Sequence, residues 1–360
     1  MLFESFQLGS LTLQNRVVMA PMTRSRATNN VPNNLMVEYY QQRSGAGLIV
    51  TEGTAPSPNA LGYPRIPGAF SDEQTQGWKK VTEAVHRSGA KIFLQLMHTG
   101  RVGHPHNLPE RAEVAGTTTT AVDGEMYTDQ EGPQAYPAAR LMNEDDIQQA
   151  IQEYVDAAKN GVKAGFDGVE LHGANGYLIE QFLNPNVNKL DNAYNGSVEA
   201  RSKFALEVAQ AVGEAIGFDR TGIRLSPYGV FNNTGPFEGI DEAYEYLAKG
   251  LGKLGVAYIH LVDHTAMGAP EVPRSVKEKI RDAFGGTIIV SGGYDKERAE
   301  QDLADGLGHL VAFGRPFIAN PDLVKRMKEG AEIAEPNQDT FYTPGKEGYT
   351  DYPTLETATA

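Results

Sequence analysis

Residues 169–178 read VELHGANGYL, an apolar run that is followed at once by small and polar residues. The run 166–171 predicts a short buried strand, so we expect His172, Asn175 and Tyr177 to follow its C-terminal end. In parallel α/β proteins, ligands bind at this end of the strands. An imidazole, an amide and a phenol presented there together could hold one polarised oxygen and deliver one proton. Such chemistry needs a partner that supplies electrons.

The same unit, a short apolar run with a polar loop and an amphipathic stretch, recurs along the chain. The runs are short and rich in β-branched residues, which is typical of strands buried on both faces. Eight such strands, each leading to a helical pattern, predict a (β/α)8 TIM barrel that forms a single domain over residues 1–360. The predicted strands are 17–20, 48–51, 91–96, 168–171, 222–225, 258–262, 287–290 and 310–313, and the predicted helices include 73–88, 144–164, 198–216, 241–254, 275–284 and 296–304.

Two segments fall outside this alternation. Residues 6–13 place Gly9 and Ser10 between alternating apolar residues, which predicts an N-terminal β-hairpin before the first barrel strand. We expect this hairpin to close the N-terminal mouth of the barrel. Residues 97–142 form a long loop after the third strand, and loops of this length are usually lids or binding loops. We therefore expect a lid over the catalytic face.

The composition excludes several classes of partner and site. The formal net charge of −14 argues against nucleic acid and anionic membranes as partners. The chain has no cysteine, which excludes disulfides, thiolate nucleophiles, Cys-ligated zinc and iron–sulfur clusters. No apolar run approaches the length of a membrane span, and the N-terminus lacks the pattern of a signal peptide. We therefore expect a soluble cytoplasmic protein.

Two glycine-rich turns follow the seventh and eighth predicted strands, at Ser291-Gly292-Gly293 and Phe313-Gly314-Arg315. Barrels commonly bind a phosphate with these two loops through backbone N–H groups. Glycine lets the backbone approach an anion, and Arg315 could bind it with two hydrogen bonds. Alternatively, both could be ordinary barrel turns that bind no ligand. We favour a phosphate site, because both turns follow the strands whose loops bind phosphate in other barrels.

Further polar residues belong to other predicted strands. Arg224 lies in the fifth strand, where a buried guanidinium needs either an anionic ligand or a structural ion pair. Gln95 lies in the third strand and offers both a donor and an acceptor, which suits an imide edge. Thr23 follows the first strand, where a lone threonine is more often a loop hydroxyl.

A metal site is a second hypothesis for the same face of the barrel. It would combine His172 and Asn175 with His260, Asp263 and His264, which belong to the sixth strand and its loop. Zinc or a similar ion would need three or four of these groups to converge. For His260 and His264 we favour helix capping or hydrogen bonding between loops.

Together these residues resemble the Old Yellow Enzyme family of FMN-dependent ene-reductases. The resemblance covers nearly the whole chain, and it is greatest to the bacterial branch with N-ethylmaleimide, morphinone and pentaerythritol tetranitrate reductases. The motifs that carry it are, in order, NRVVMAPMTR (15–24), LQL (94–96), HGANGY (172–177), NGSVEAR (195–201), RLSP (224–227), GRP (314–316) and GYTDYP (348–353).

The resemblance implies an FMN site. Thr23 would hydrogen-bond the flavin near its reactive N5 atom, and Gln95 and Arg224 would hold the pyrimidine end. In this family the arginine stabilises the anionic reduced ring, and the turns after the last two strands hold the phosphate. The cofactor-binding residues implied in this way are Pro21, Met22, Thr23, Gly53, Gln95, His172, Arg224, Gly293, Gly314 and Arg315.

The resemblance also implies the reaction. NADPH, or NADH, would reduce the flavin and leave the pocket to an activated alkene such as an enone, enal, maleimide or nitroalkene. His172 and Asn175 would bind its carbonyl or nitro oxygen, flavin N5 would transfer hydride to the β carbon, and Tyr177 would protonate the α carbon. The protein would act as a monomer or homodimer. Tyr63, Phe231 and Tyr342 would complete the substrate-binding residues.

Three departures from the family pattern qualify this picture. Asn175 stands where several bacterial relatives have a second histidine, and the family uses either residue. Met97 replaces a tryptophan that is common in those relatives, which gives a more adaptable pocket wall. Thr23 stands where the thermophilic-like branch has cysteine. Two other functional classes stay open: a metal-dependent lyase or hydrolase that would use the metal site described above, and a non-catalytic flavin-binding barrel.

Overall fold

A computed structural model describes residues 1–358, in which short strands alternate with longer helices. The strands are β1 (Phe6–Leu8), β2 (Leu11–Leu13), β3 (Val17–Met19), β4 (Leu48–Val50), β5 (Lys91–Leu96), β6 (Ala115–Gly116), β7 (Glu125–Thr128), β8 (Gly132–Ala135), β9 (Arg140–Leu141), β10 (Gly168–Gly173), β11 (Thr221–Leu225), β12 (Tyr258–Val262), β13 (Thr287–Ser291) and β14 (Leu310–Phe313). The α-helices are α1 (Asn34–Gln42), α2 (Asp72–His86), α3 (Glu144–Lys163), α4 (Leu178–Leu183), α5 (Val198–Ile216), α6 (Ile240–Leu254), α7 (Arg274–Phe284), α8 (Lys296–Ala304), α9 (Arg315–Ala319), α10 (Leu323–Glu329) and α11 (Leu355–Ala358).

Eight parallel strands close into a barrel in the order β3-β4-β5-β10-β11-β12-β13-β14, and β14 pairs with β3. This confirms the predicted (β/α)8 TIM barrel. The strand β10 is longer than predicted and ends at Gly173, because His172 continues the ladder opposite Arg224 of β11. His172 therefore lies inside the strand rather than after it, while Asn175 and Tyr177 follow the strand as expected.

The helices that sequence analysis predicted have clear local signals. Asn143 caps α3, and Asp146 completes a reciprocal capping box with it. The prediction missed α4, because its six residues are all buried and are too few to show an amphipathic period. Within residues 1–358, no helix combines the length and the apolar character needed to cross a membrane.

An antiparallel hairpin of β1 and β2 precedes the barrel, with Phe6 opposite Leu13. Its buried residues Leu8 and Leu13 pack with barrel residues that include Tyr258 and Leu310. These two are the first residues of β12 and β14, so the hairpin lies at the N-terminal mouth.

The segment 97–142 is not a structureless loop. Its strands β7 and β8 form an antiparallel hairpin, and β6 pairs with β9. Asp129, between β7 and β8, forms an ion pair with Arg65. Arg65 also donates hydrogen bonds to the carbonyl oxygens of Ser25 (3.0 Å) and Tyr342 (2.8 Å). One guanidinium therefore joins this hairpin to the loop after β3 and to the C-terminal segment.

Candidate active site

A cavity of about 980 Å3 opens at the C-terminal end of the barrel. Loops that follow all eight barrel strands contribute to its lining, as expected for a TIM barrel site. Every residue predicted for cofactor binding, substrate binding or catalysis lies on its wall. These residues are Pro21, Met22, Thr23, Gly53, Tyr63, Gln95, His172, Asn175, Tyr177, Arg224, Phe231, Gly293, Gly314, Arg315 and Tyr342.

His172 is a neutral hydrogen-bond donor toward this cavity. The backbone N–H of Ala174 donates to its Nδ1 at 3.3 Å, so the ring carries its proton on Nε2. Burial and then the positive charge of Arg224 hold the pKa of His172 well below its usual range. The imidazole can therefore donate from Nε2 without bringing a charge.

The turn after β10 places Asn175 and Gly176 in left-handed conformations, with φ of 61° and 75°. Asparagine and glycine tolerate this region better than other residues. The N–H of Asn175 donates to Ser226 Oγ at 2.9 Å, and the N–H of Gly176 donates to Glu180 Oε2 at 2.7 Å. Ser226 Oγ donates to the same carboxyl group at 3.0 Å. Burial raises the pKa of Glu180 to about 7.

Tyr177 presents its phenol to the cavity from the start of α4. Its hydroxyl donates to the hydroxyl of Tyr63 at 2.9 Å, and the two rings meet edge to face. The Tyr177 ring also lies edge to face against His172, at 4.9 Å between ring centroids. Burial raises the pKa of Tyr177 to about 12, so the phenol keeps its proton at neutral pH.

His264 connects two loops of the site. Its Nε2 lies 2.7 Å from Asn175 Oδ1, so the loops after β10 and β12 are hydrogen-bonded, as favoured for this histidine from the sequence. Its ring packs edge to face on Phe231, at 4.7 Å between centroids. Burial and the charge of Arg224 lower the pKa of His264 to about 4.

A polar layer lies in the barrel interior beneath the cavity, centred on the fully buried Glu170. Its carboxylate accepts hydrogen bonds from Gln95 Nε2 (2.9 Å) and Tyr258 (3.0 Å), and lies 2.9 Å from His260 Nδ1. The expectation for His260 is therefore wrong: it neither caps a helix nor joins loops, because its position in β12 points it inward. Burial opposes ionisation of Glu170, but His260 and Arg224 hold its pKa below the usual value.

Two features of this layer fit the pyrimidine end of FMN. The Nε2 group of Gln95 donates its hydrogen bond to Glu170. The Oε1 atom of Gln95 is therefore left as an acceptor for an imide N–H. The buried Nε of Arg224 has no hydrogen-bond partner among residues 1–358. Buried donors are normally paired, so a ligand is the expected partner of this guanidinium.

The two glycine-rich turns differ in whether the surrounding atoms leave room for a side chain at the glycine. A Cβ at Gly292, which has φ of 126°, would collide with the carbonyl oxygen of Asp263. At Gly314 the nearest atom to such a Cβ would be Met22 Sδ at 3.7 Å, so packing alone does not require glycine there. Arg315 is exposed and borders the cavity beside Gly314. This arrangement leaves room for an anion at Gly314.

The residues of the hypothetical metal site have other partners. Lys277 Nζ lies 2.6 Å from Asp263 Oδ2, and Thr265 donates to Asp263 Oδ1 at 2.5 Å. His260 is turned to the barrel interior and His264 to Asn175. In the part of the chain that the structure describes, no three or more histidine, cysteine, aspartate or glutamate side chains are grouped so that they could hold a metal ion. The structure therefore offers this hypothesis no ligand set.

Sequence reasoning did not select several other residues of the cavity wall. Tyr127 and Tyr136 reach it from the segment 97–142, and Met267 reaches it from the loop after β12. Their loops carry no periodic pattern, so nothing in the sequence indicated which of their side chains would face the site.

Comparisons with known proteins agree with this geometry. The NADH:flavin oxidoreductase / NADH oxidase family model matches residues 1–333. Flavin oxidoreductase hxnT of Emericella nidulans is 41% identical, over 98% of this chain and 97% of that protein. The 12-oxophytodienoate reductase 1 of Oryza sativa subsp. japonica is 41% identical, over 99% and 93%. Morphinone reductase in complex with tetrahydroNAD has a TM-score of 0.94 at 41% identity, over 100% of this chain and 99% of that chain. The chain therefore belongs to the NADH:flavin oxidoreductase / NADH oxidase family, which is the Old Yellow Enzyme family that its motifs resemble.

Proposed function

We propose that this protein is an ene-reductase that uses FMN and a nicotinamide nucleotide, NADPH or NADH, to reduce activated alkenes. The observation that carries the proposal is the meeting of two groups of residues around one cavity. Gln95 and Arg224 form the first group, which could bind a flavin ring. The second group could bind an oxygen atom of the substrate and protonate one of its carbon atoms; it consists of His172, Asn175 and Tyr177. Relatives described as 12-oxophytodienoate reductase and morphinone reductase support a reductive role.

The residues that would hold FMN line the cavity at the C-terminal end of the barrel. Gln95 and Arg224 would bind the pyrimidine end, and Thr23 would hydrogen-bond near N5. Gly314 and Arg315 would bind the phosphate, with the open space at Gly314 as the supporting observation. Bound FMN, once reduced by the nicotinamide nucleotide, supplies the hydride that the β carbon of the alkene accepts.

The chain's own residues would activate and protonate the alkene. His172 Nε2 and Asn175 Nδ2 would donate hydrogen bonds to the carbonyl or nitro oxygen and so draw electron density from the β carbon. The phenol of Tyr177 would give its proton to the α carbon. The hydride and this proton together account for the two hydrogens added to the double bond. Because the pKa of the phenol is about 12, the resulting phenolate would regain a proton from solvent readily.

The walls of the cavity would orient the alkene and exclude water. Tyr63 and Phe231 are partly buried beside Tyr177 and His264, respectively. Tyr342, with 61% of its surface exposed, lies at the mouth. Preorganised donors are worth more in such a partly desolvated site than they are in water.

The visible spectrum of the purified protein tests the proposal. We expect a yellow protein whose flavin absorbance bleaches anaerobically with NADPH or NADH and returns when 2-cyclohexen-1-one is added. A colourless protein that needs a metal ion for activity would refute it in favour of a lyase or hydrolase. Bound FMN that no enone, maleimide or nitroalkene reoxidises would refute it in favour of a non-catalytic flavin protein.

A further inference from the structure

We propose that His264 is a positioning residue that fixes the side-chain amide of Asn175, so that the site selects a substrate oxygen that only accepts hydrogen bonds. The contact that motivates this is the 2.7 Å hydrogen bond between His264 Nε2 and Asn175 Oδ1. The inference rests on the proposed function, in which His172 and Asn175 bind the substrate's oxygen.

The hydrogen bond determines which end of the amide faces the cavity. In this orientation of the amide, Oδ1 of Asn175 accepts the hydrogen bond and Nε2 of His264 carries the proton. The Nδ2 group of Asn175 has no partner among residues 1–358 and remains free to donate to a ligand. The oxygen and nitrogen of an amide are similar in size, so packing alone would not choose between the two orientations.

The backbone of Asn175 is already held from both sides. Its N–H donates to Ser226 Oγ at 2.9 Å, and its carbonyl oxygen accepts from Asn232 Nδ2 at 2.7 Å. The remaining freedom that matters for ligand binding is rotation of the amide, and His264 is the residue that restrains it.

His264 is itself well placed to impose this restraint. Only 7% of its surface is exposed, and its ring packs edge to face on Phe231. The preceding residue, Asp263, is held by Lys277 Nζ at 2.6 Å and by a backbone hydrogen bond to Ser291. A buried, packed ring on an anchored loop can keep one orientation of its partner.

The consequence is a site with two donors and no acceptor at the oxygen. His172 Nε2 and Asn175 Nδ2 match the two lone pairs of a carbonyl or nitro oxygen. A hydroxyl oxygen could accept from both donors, but its own O–H would find no acceptor at this pair, and an unpaired donor in a buried site costs free energy. If the Asn175 amide could rotate, it would offer an acceptor and accommodate the hydroxyl. His264 would thus discriminate an unsaturated ketone from the corresponding allylic alcohol.

The test compares two ligands that differ in this one respect, 2-cyclohexen-1-one and 2-cyclohexen-1-ol. Their dissociation constants are measured from changes in flavin absorbance on the FMN-loaded protein and on His264→Phe, which keeps a packed ring without a donor. We expect the variant to bind the ketone about tenfold more weakly and the alcohol as well as or better than the native protein. The affinity ratio of ketone to alcohol should therefore fall at least tenfold.

Further variants separate positioning from a general structural role. His264→Gln, which retains a side-chain donor, should restore most of the ratio. Combining His264→Phe with Asn175→Ala should weaken ketone binding no further than Asn175→Ala alone, because the histidine acts through the amide. His309→Phe, at the N-terminal end of the barrel, is the matched control and should leave the ratio unchanged. If His264→Phe does not fold, His264→Ala gives the same comparison.

Three results would overturn the inference. Equal weakening of both ligands would show a general loss of structure, and unchanged affinities for both ligands would show that the amide is held without His264. Additive effects in the double variant would show that His264 does not act through Asn175. If the native protein bound neither FMN nor the ketone, the proposed function would fail, and this inference with it.

Discussion

Replacing Tyr177 with phenylalanine removes one oxygen atom from the candidate site and leaves the ring in place. The ring keeps its edge-to-face contacts with His172 (4.9 Å) and Tyr63 (6.2 Å). The variant loses the 2.9 Å hydrogen bond to Tyr63 and the acidic proton. Positioned general acids contribute about 10²–10⁴-fold to a rate. We therefore expect alkene reduction to slow by about 10²–10³-fold, while reduction of the flavin by the nicotinamide nucleotide changes less than about twofold.

The effect on stability should be much smaller than the effect on the rate. Losing one hydrogen bond costs about 1 kcal/mol of unfolding free energy. An unfolding entropy of about 2.1 cal/mol/K per residue gives about 0.76 kcal/mol/K for 360 residues, so Tm should fall by about 1 °C. A hundredfold slower reaction corresponds to a barrier raised by about 2.7 kcal/mol. A large loss of rate without a large loss of Tm would place the effect in the chemistry.

The assay is anaerobic stopped-flow spectroscopy of the two half-reactions, followed by flavin absorbance between pH 6 and pH 9. Because burial raises the pKa of Tyr177 to about 12, the native alkene half-reaction should show no ionisation of this phenol over that range. Tyr246→Phe, a partly exposed position on α6, is the matched control. Equal slowing of both half-reactions, or less than threefold slowing of alkene reduction, would refute the proton-donor role.

Three further variants test the phosphate site, the pocket wall and the turn after β10. Gly314→Ala should weaken FMN binding about tenfold, measured by fluorescence titration of the apoprotein, with apoprotein Tm unchanged, because a Cβ has room there until the phosphate arrives. Gly53→Ala should change the KM for bulky enones several-fold by displacing Met97, whose Sδ would lie 2.5 Å from the new Cβ, and adding Met97→Ala should reverse this change. Glu180→Gln should flatten the pH dependence of stability, because burial raises the folded-state pKa of Glu180 from 4.5 to about 7. The contribution of the Glu180 carboxyl group to the free energy of unfolding is fully present below about pH 4.5 and is lost as the pH rises through about 7. The loss amounts to about 3 kcal/mol, or about 4 °C in Tm.

Each of these expectations has a clear contrary result. Unchanged FMN affinity in Gly314→Ala would place the phosphate elsewhere. Failure of Met97→Ala to reverse the effect of Gly53→Ala would show that the glycine serves another contact. A Glu180→Gln variant whose Tm varies with pH between 5 and 8 as steeply as that of the native protein would show that this carboxyl group titrates normally.

Features that depend on nearby residues could be predicted from the sequence. The eight barrel strands are short apolar runs with turns on either side, and the cap of α3 lies within three residues of Asn143. His172, Asn175 and Tyr177 belong to one strand and turn, so their common location on the cavity wall also follows from local order. The sequence predicts the end of β10 too early, because a polar residue usually ends a buried apolar run, whereas His172 continues the strand opposite Arg224.

Pairings between distant residues could not be predicted in this way. His264 and Asn175 are 89 positions apart, and Gln95 reaches Glu170 across 75 positions. Parallel pairing of the barrel strands brings these groups within hydrogen-bonding distance, since strands that are neighbours in the barrel are separated by whole helices along the chain. The sequence by itself determined the barrel and the kinds of groups on its rim, because periodicity and strand ends are local properties. The tertiary structure decided which partners the histidines and side-chain amides of the site have, because these partners meet only in the folded chain.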